Sequence, residues 1–310
     1  MKKKRLKKSA YVLISVVVIS IVGSVSYYLY NSYVTSDKYL LLEKGYTIDE
    51  VSFALTNKEI VNTLLKKDYN KNILVFMKEK YYLSKNLDKY LEYKKQNPEI
   101  DNDKIVSIIN VGADSDWYVN DIKTDLNKGI LMIVNKHHYL DEDYNPDDLV
   151  TMPLSVAFKG KKIISEVNEA FIKLCKDAKS ENLTIVANST YRDFNYQSSL
   201  YKRYKNNKGQ IYADNYAARP GYSEHQTGLA IDVSTLKSTM DDFEETKEYK
   251  WLIKNAYKYG FILRYPKGKE DITGYNYESW HYRYVGIEAA KIIYEENITF
   301  DEYYVYYVEW

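Results

Sequence analysis

Two short segments carry residue types that can bind a metal ion and activate water. The first runs Arg219-Pro-Gly-Tyr-Ser223-Glu-His225-Gln-Thr-Gly228-Leu-Ala-Ile-Asp232-Val. His225 precedes a turn that Gly228 permits, and strand alternation then puts Ala230 and Asp232 on one face and Leu229, Ile231 and Val233 on the other. A carboxylate in an otherwise apolar strand is costly to bury unless a cation or metal compensates it. Imidazole nitrogen and carboxylate oxygen both ligate zinc, so His225 and Asp232 supply two-thirds of a site. The same spacing also fits a surface histidine and an aspartate bonded to a turn. The second segment, Tyr277-Glu278-Ser-Trp280-His281-Tyr-Arg-Tyr, adds another histidine with an acid close by. Catalytic zinc takes three protein ligands and leaves one position open. It also needs a carboxylate beside the attacking water. His225, Asp232 and His281 would form the triad and Glu278 the base; an aromatic-rich strand with a structural histidine is the alternative. Residues three apart face opposite ways on an ideal strand, so Glu278 is expected at a strand end or bulge.

A third segment, Asn188-Ser-Thr-Tyr191-Arg192-Asp-Phe-Asn-Tyr-Gln197, places Arg192 between a strand end and a helix start. From such a loop a guanidinium can grip a carboxylate or stabilise a developing oxyanion. Gln197 in the first helical turn can add a hydrogen bond, while a surface salt bridge is the plainer role for Arg192. The remaining histidines, His137 and His138, are adjacent and rarely able to aim at one point, so they read as structural or surface residues. Cys175 is the only cysteine. It excludes an internal disulfide and any multi-thiolate metal site, and its place on an apolar helical stripe predicts a buried, inert thiol.

The elements that must hold these residues interleave helices and strands without a strict βαβ rhythm or a Gly-rich phosphate loop. Ile105–Ile109 and residues 129–134 read as strands, and Ile164 to Ala178 as an amphipathic helix. Leu183–Ala187, Leu229–Val233, Phe261–Leu263 and Tyr277–Val285 read as strands. Asp193 caps a helix, Thr246–Tyr259 is a helix stopped by Gly260, and Ile287–Glu296 is a final helix. An α+β domain with a small antiparallel sheet flanked by helices fits this order. Upstream, residues 35–110 are mostly helical and charged, with Thr47 as N-cap and Glu50 three residues on. That stretch holds no cluster of ligands and reads as a spacer. The expected organisation is thus 1–34, 35–110 and 111–310.

The amino terminus carries Lys2, Lys3, Lys4, Arg5, Lys7 and Lys8, followed by an uncharged, largely apolar run from Ser9 to Val34. Such a run is long enough to span a bilayer. Positive charge stays on the cytoplasmic side, so residues after about Asp37 are expected outside, with Tyr27, Tyr28, Tyr30 and Tyr33 in an interfacial belt. A cleaved signal peptide is the alternative, but no A-x-A site follows. Across the whole chain, 44 basic side chains nearly cancel 43 acidic ones, which gives no reason to expect a nucleic-acid partner.

Taken together, Tyr-Arg-x-x-x-x-Gln, Ser-x-His-x-x-Gly-x-Ala-x-Asp and Glu-x-Trp-His, in that order, resemble the VanY-type D-alanyl-D-alanine carboxypeptidases. These belong to the zinc peptidase group that includes lysostaphin-like endopeptidases and the hedgehog fold. The resemblance covers roughly Ile130 to Asp301. It implies one zinc ion held by His225, Asp232 and His281, Glu278 as general base, and Arg192 on the oxyanion or the substrate. Tyr191, Gln197, Ser223 and Trp280 would line the pocket for a terminal D-alanine. Peptidoglycan stem peptides, or their lipid-linked precursors, would be the partners at the outer face of the membrane. An L,D-carboxypeptidase, a stem-peptide endopeptidase or a non-catalytic zinc-containing wall-binding module are the alternatives. The departure from the pattern is Asn188-Ser-Thr-Tyr191, where smaller residues usually precede Tyr-Arg.

Overall fold

The computed structural model describes residues 8–119, 121–238, 240 and 242–309. The chain divides into two compact units, Met1–Asp103 and Lys104–Trp310. Of the amino-terminal basic cluster, Lys2, Lys3, Lys4, Arg5 and Lys7 lie outside the described residues.

The first unit is helical. Its leading helix, α1 (Lys8–Val34), has apolar side chains exposed all round, and Ala10–Val34 is long and apolar enough to cross a bilayer. Short helices follow: α2 (Asp37–Glu43), α3 (Ile48–Ala54), α4 (Lys58–Lys66), α5 (Lys71–Met77) and α6 (Leu87–Gln96). Each of these presents one apolar face, and Leu41, Val51, Leu64, Ile73, Phe76 and Tyr90 are buried. Local chemistry fixes the ends. Thr47 forms the capping box read from the sequence, its N–H donating to Glu50 Oε2 at 2.8 Å and its Oγ1 accepting from Glu50 N. Lys44 Nζ donates to the carbonyls of Leu64, Leu65 and Lys67 at 3.1, 2.7 and 2.5 Å, satisfying groups that the end of α4 leaves without helical partners.

The second unit begins within α7 (Asn102–Asn110). Here a strand was expected over Ile105–Ile109, and a helix forms. Every residue of that run is buried, so it carries no periodicity to separate the two. Beyond it come a two-residue parallel pair, β1 (Ile122–Lys123) with β2 (His138–Tyr139), and an antiparallel pair, β3 (Leu149–Thr151) with β4 (Lys162–Ile164). Residues 129–134 are not a strand either. They pass from a 3₁₀ turn over Leu126–Leu131 into irregular chain, and the carbonyls of Ile130 and Met132 accept from Arg283 instead of a ladder.

Helix α8 (Ser165–Ser180) leads to β5 (Val186–Ser189), then α9 (Phe194–Lys208) and α10 (Gln210–Tyr216). After them come β6 (Ala230–Ser234), α11 (Lys247–Asn255), β7 (Phe261–Leu263), α12 (Glu270–Thr273), β8 (His281–Tyr284), α13 (Ile287–Glu296) and α14 (Phe300–Tyr303). The expected helix over Thr246–Tyr259 is split, continuing after α11 as a 3₁₀ turn that ends at Gly260. Strands β5, β6, β8 and β7 form one antiparallel sheet in that order, which makes this unit α+β.

Register decides what the sheet presents. Ile231 pairs with Tyr282, and these join Leu229, Val233, Phe261, Phe171 and Trp251 in the main apolar core. On the opposite face Asp232 pairs with His281 and Ala230 with Arg283. The sheet therefore has one oily face and one that gathers charge.

Candidate metal centre

Two of the candidate ligands are neighbours because their strands are. Asp232 and His281 are direct partners across β6 and β8, and Asp232 Oδ1 lies 3.1 Å from His281 Nδ1. The third, His225, sits on a 3₁₀ turn over Glu224–Thr227 that Gly228 ends in the left-handed region, at φ +70°. His225 Nδ1 lies 2.7 Å from the Thr190 carbonyl oxygen, which accepts only, so Nδ1 carries the proton. That leaves the Nε2 lone pair facing Asp232 Oδ2 at 3.3 Å. One potential ligand atom from each of the three side chains falls within 4.8 Å of the others.

Fit to a divalent ion can be tested on the protein's own atoms. His225 Nε2 is buried and makes no hydrogen bond of acceptable geometry, a condition that costs stability in a protein interior. An ion shared with Asp232 and His281 would satisfy it, and two imidazoles with one carboxylate are a donor set that zinc accepts. Charge points the same way. Burial would raise the Asp232 carboxyl, but His225 and His281 outweigh it and hold the group well below the usual range. Burial, then Arg192, pushes His225 down to about 4. For His281 burial works downwards, while the hydrogen bonds to Asp232 and Glu224 raise it to about 9.

Around this centre, Glu278 occupies the turn just before β8, a strand end. Its N–H donates to the Tyr265 carbonyl at 3.1 Å, and its Oε2 lies 3.7 Å from His281 Nδ1. Burial pushes its carboxyl up to about 7, with Asp232 adding to the rise and His281 opposing it. Arg192 lies between β5 and α9, its N–H donating to the His225 carbonyl at 3.2 Å and its Nη1 4.0 Å from Asp232 Oδ2. Tyr191 donates its hydroxyl to Asn145 Oδ1 at 2.7 Å. With Arg192, Lys161, Lys162, Ser189 and Tyr196 it lines an open cavity of about 250 Å³.

The other pocket candidates are placed less directly. Gln197 is buried and donates to the Ala218 carbonyl at 2.7 Å, tying α9 to the chain ahead of the motif. Ser223 is buried at the start of the 3₁₀ turn, and Trp280 packs against the apolar core. His137 packs at a tilt against Trp117 and His138 edge-on against Tyr304, and neither joins the metal cluster among the described residues. Cys175 is buried on α8, where burial pushes its thiol up to about 12.

Sequence reasoning passed over four side chains here. Glu224, Arg264, Arg283 and Tyr265 all meet His281 or each other behind the centre. Arg283 stands two residues after His281 on one strand, so alternation alone could have put it on the charged face. Nothing in the spacing marks Glu224 or Arg264.

A family model described as VanY, D-alanyl-D-alanine carboxypeptidase, matches residues 160–287. The putative carboxypeptidase YodJ of Bacillus subtilis (strain 168) is 42% identical over 201 residues, covering 60% of this chain and 74% of YodJ. The chain belongs to the VanY-type D-alanyl-D-alanine carboxypeptidase family. As a member, it is a carboxypeptidase, and His225, Asp232 and His281 form a group that could hold a metal ion. A D-alanyl-D-alanine carboxypeptidase of Enterococcus faecium is 41% identical over 145 residues, covering 46% of this chain and 44% of that one. Among solved structures, the LdcB LD-carboxypeptidase is similar at 40% identity with a TM-score of 0.57, over 60% of this chain and 94% of its own.

Proposed function

We propose that this VanY-type enzyme removes the terminal D-alanine from peptidoglycan stem peptides at the outer face of the membrane. The observation that carries the reading is the convergence of His225, Asp232 and His281 within 4.8 Å, with the Glu278 carboxylate beside them. His225 Nε2, an Asp232 oxygen and His281 Nδ1 would hold one zinc ion per chain. When bound, zinc supplies Lewis acidity that makes water a nucleophile near neutral pH. Glu278 takes a proton from the attacking water and returns it to the departing amine, the exchange a carboxylate beside the ion can carry out. Arg192 stabilises charge on the carbonyl oxygen under attack or holds the substrate carboxylate. Tyr191, Gln197, Ser223 and Trp280 shape the subsite for the terminal residue.

The organisation follows from this role. Residues 1–34 anchor the chain with its amino terminus in the cytoplasm, 35–110 form a spacer, and 111–310 do the chemistry beside newly made wall. A second reading, removal of D-alanine from tetrapeptides as an L,D-carboxypeptidase, is favoured by the likeness to LdcB along 94% of that chain. The experiment that tests both uses the detergent-solubilised full chain with penta- and tetrapeptide stems, following released D-alanine. Chelator-sensitive release from pentapeptide supports the main reading, and release from tetrapeptide alone supports the second. Release that persists after full metal removal would refute both.

A further inference from the structure

Behind the metal centre lies a buried charge cluster that the proposed reaction does not use. Glu224 is fully buried, and its two oxygens face different partners. Oε1 accepts from Arg264 Nε at 2.7 Å and from Arg283 Nη1 at 3.0 Å. Oε2 is left facing His281 Nε2, at 3.2 Å. Arg264 in turn donates through Nη1 and Nη2 to Asp301 at 2.5 and 3.1 Å. Arg283 spends its other donors on the carbonyls of Ile130, Met132 and Tyr284. Two carboxylates and two guanidiniums therefore balance, and all four are buried.

We infer that Glu224 is a positioning residue: it fixes His281 with its proton on Nε2, so that Nδ1 is the nitrogen offered to the metal. This rests on the zinc reading above. An imidazole ligand needs its second nitrogen protonated and hydrogen-bonded, and such outer partners orient the ring and raise its basicity. Glu224 is suited to accept that proton bond. Its Oε1 is already held by Arg264 and Arg283, which only donate, so Oε2 is the acceptor left for His281. Tyr265 lies against the His281 ring at 4.9 Å between centroids and restricts its tilt. Glu224 also adjoins His225 in sequence, so one short turn provides a ligand and also orients the other histidine ligand.

Substitution Glu224→Gln tests this through hydrogen-bond direction. Arginines only donate, so the glutamine must turn its carbonyl oxygen to Arg264 and Arg283. Its amide nitrogen then faces His281 as a donor, and the proton moves from Nε2 to Nδ1. We expect E224Q to bind zinc on the order of 10- to 100-fold more weakly. Asp301→Asn disturbs the same cluster from its far end without touching His281, and should lower the melting temperature while changing zinc affinity less than about twofold. Zinc affinity is measured by chelator competition on the full chain in detergent. Imidazole nitrogen shifts are read after ¹⁵N-histidine labelling, with only four histidines to assign.

In the zinc-loaded parent, metal-bound Nδ1 and protonated Nε2 on His281 support the inference, and metal-bound Nε2 overturns it even if E224Q does not fold. Equal zinc affinity in E224Q and parent, or equal losses in E224Q and D301N, also overturn it. A parent that binds no zinc sinks the underlying reading instead, which separates the two failures.

Discussion

Replacing Gly228 by alanine should loosen the turn that carries His225, and the structure sets the size of the effect. Gly228 sits at φ +70° and ψ 16°, and an L-residue with a Cβ costs about 1–2 kcal/mol there. A Cβ would also meet Ile164 Cγ1 and Leu149 Cδ2 at 3.1 Å each and Pro146 Cγ at 3.4 Å. Those distances fall inside the optimal carbon separation of roughly 3.5–4.0 Å. Overpacking of this kind costs about 1–3 kcal/mol. Against this, losing glycine's freedom in the unfolded chain returns roughly 0.4–1 kcal/mol. The net loss is about 1–4.6 kcal/mol, or roughly 2–18 °C in melting temperature for a unit of this size. Gly268 is the control, since it too has positive φ, at +84°, but open space around the added carbon. Its alanine variant should lose only about 0–1.6 kcal/mol, because no packing cost applies. The assay is thermal unfolding of the full chain with chelator present, followed by zinc titration. Zinc binding by G228A should weaken as well, because the Gly228 N–H closes the turn on the His225 carbonyl at 3.2 Å. A melting temperature for G228A equal to the parent's would refute the reasoning.

Glu278→Gln should keep zinc, since no ligand atom is removed, yet lower kcat by about 10²–10⁴. Turnover within a few-fold of the parent would show that the base lies elsewhere. In the first unit, Thr47→Ala removes one half of a capping box and should cost about 1 kcal/mol of that unit's stability. Denaturant unfolding of the full chain, read in its first transition, checks the value.

How much could be read beforehand depended on what kind of signal each residue left. The meeting of His225, Asp232 and His281 was legible because two of the chain's four histidines stand at fixed offsets from a turn glycine or a strand. The capping box at Thr47 and the last helix, Ile287–Glu296, were legible because caps and periodicity are local. Ile105–Ile109 misled because a segment buried on all sides looks alike as strand or helix. Residues 129–134 misled because a distant arginine, Arg283, took their carbonyls. Glu224 was invisible for the same reason: its partners Arg264 and Arg283 come from elsewhere in the chain and meet it only after the sheet closes.

The pairing of Asp232 with His281 has one more consequence, for how the sheet assembles. Side chains alternate strictly along a strand, so a slip of one residue between β6 and β8 would leave only one of the two ligands facing the centre. Such a misaligned strand pair could not hold the ion, and binding favours only the conformer able to bind. Metal supplied during refolding should therefore act as a proofreader of strand alignment, enriching correctly matched molecules over shifted ones.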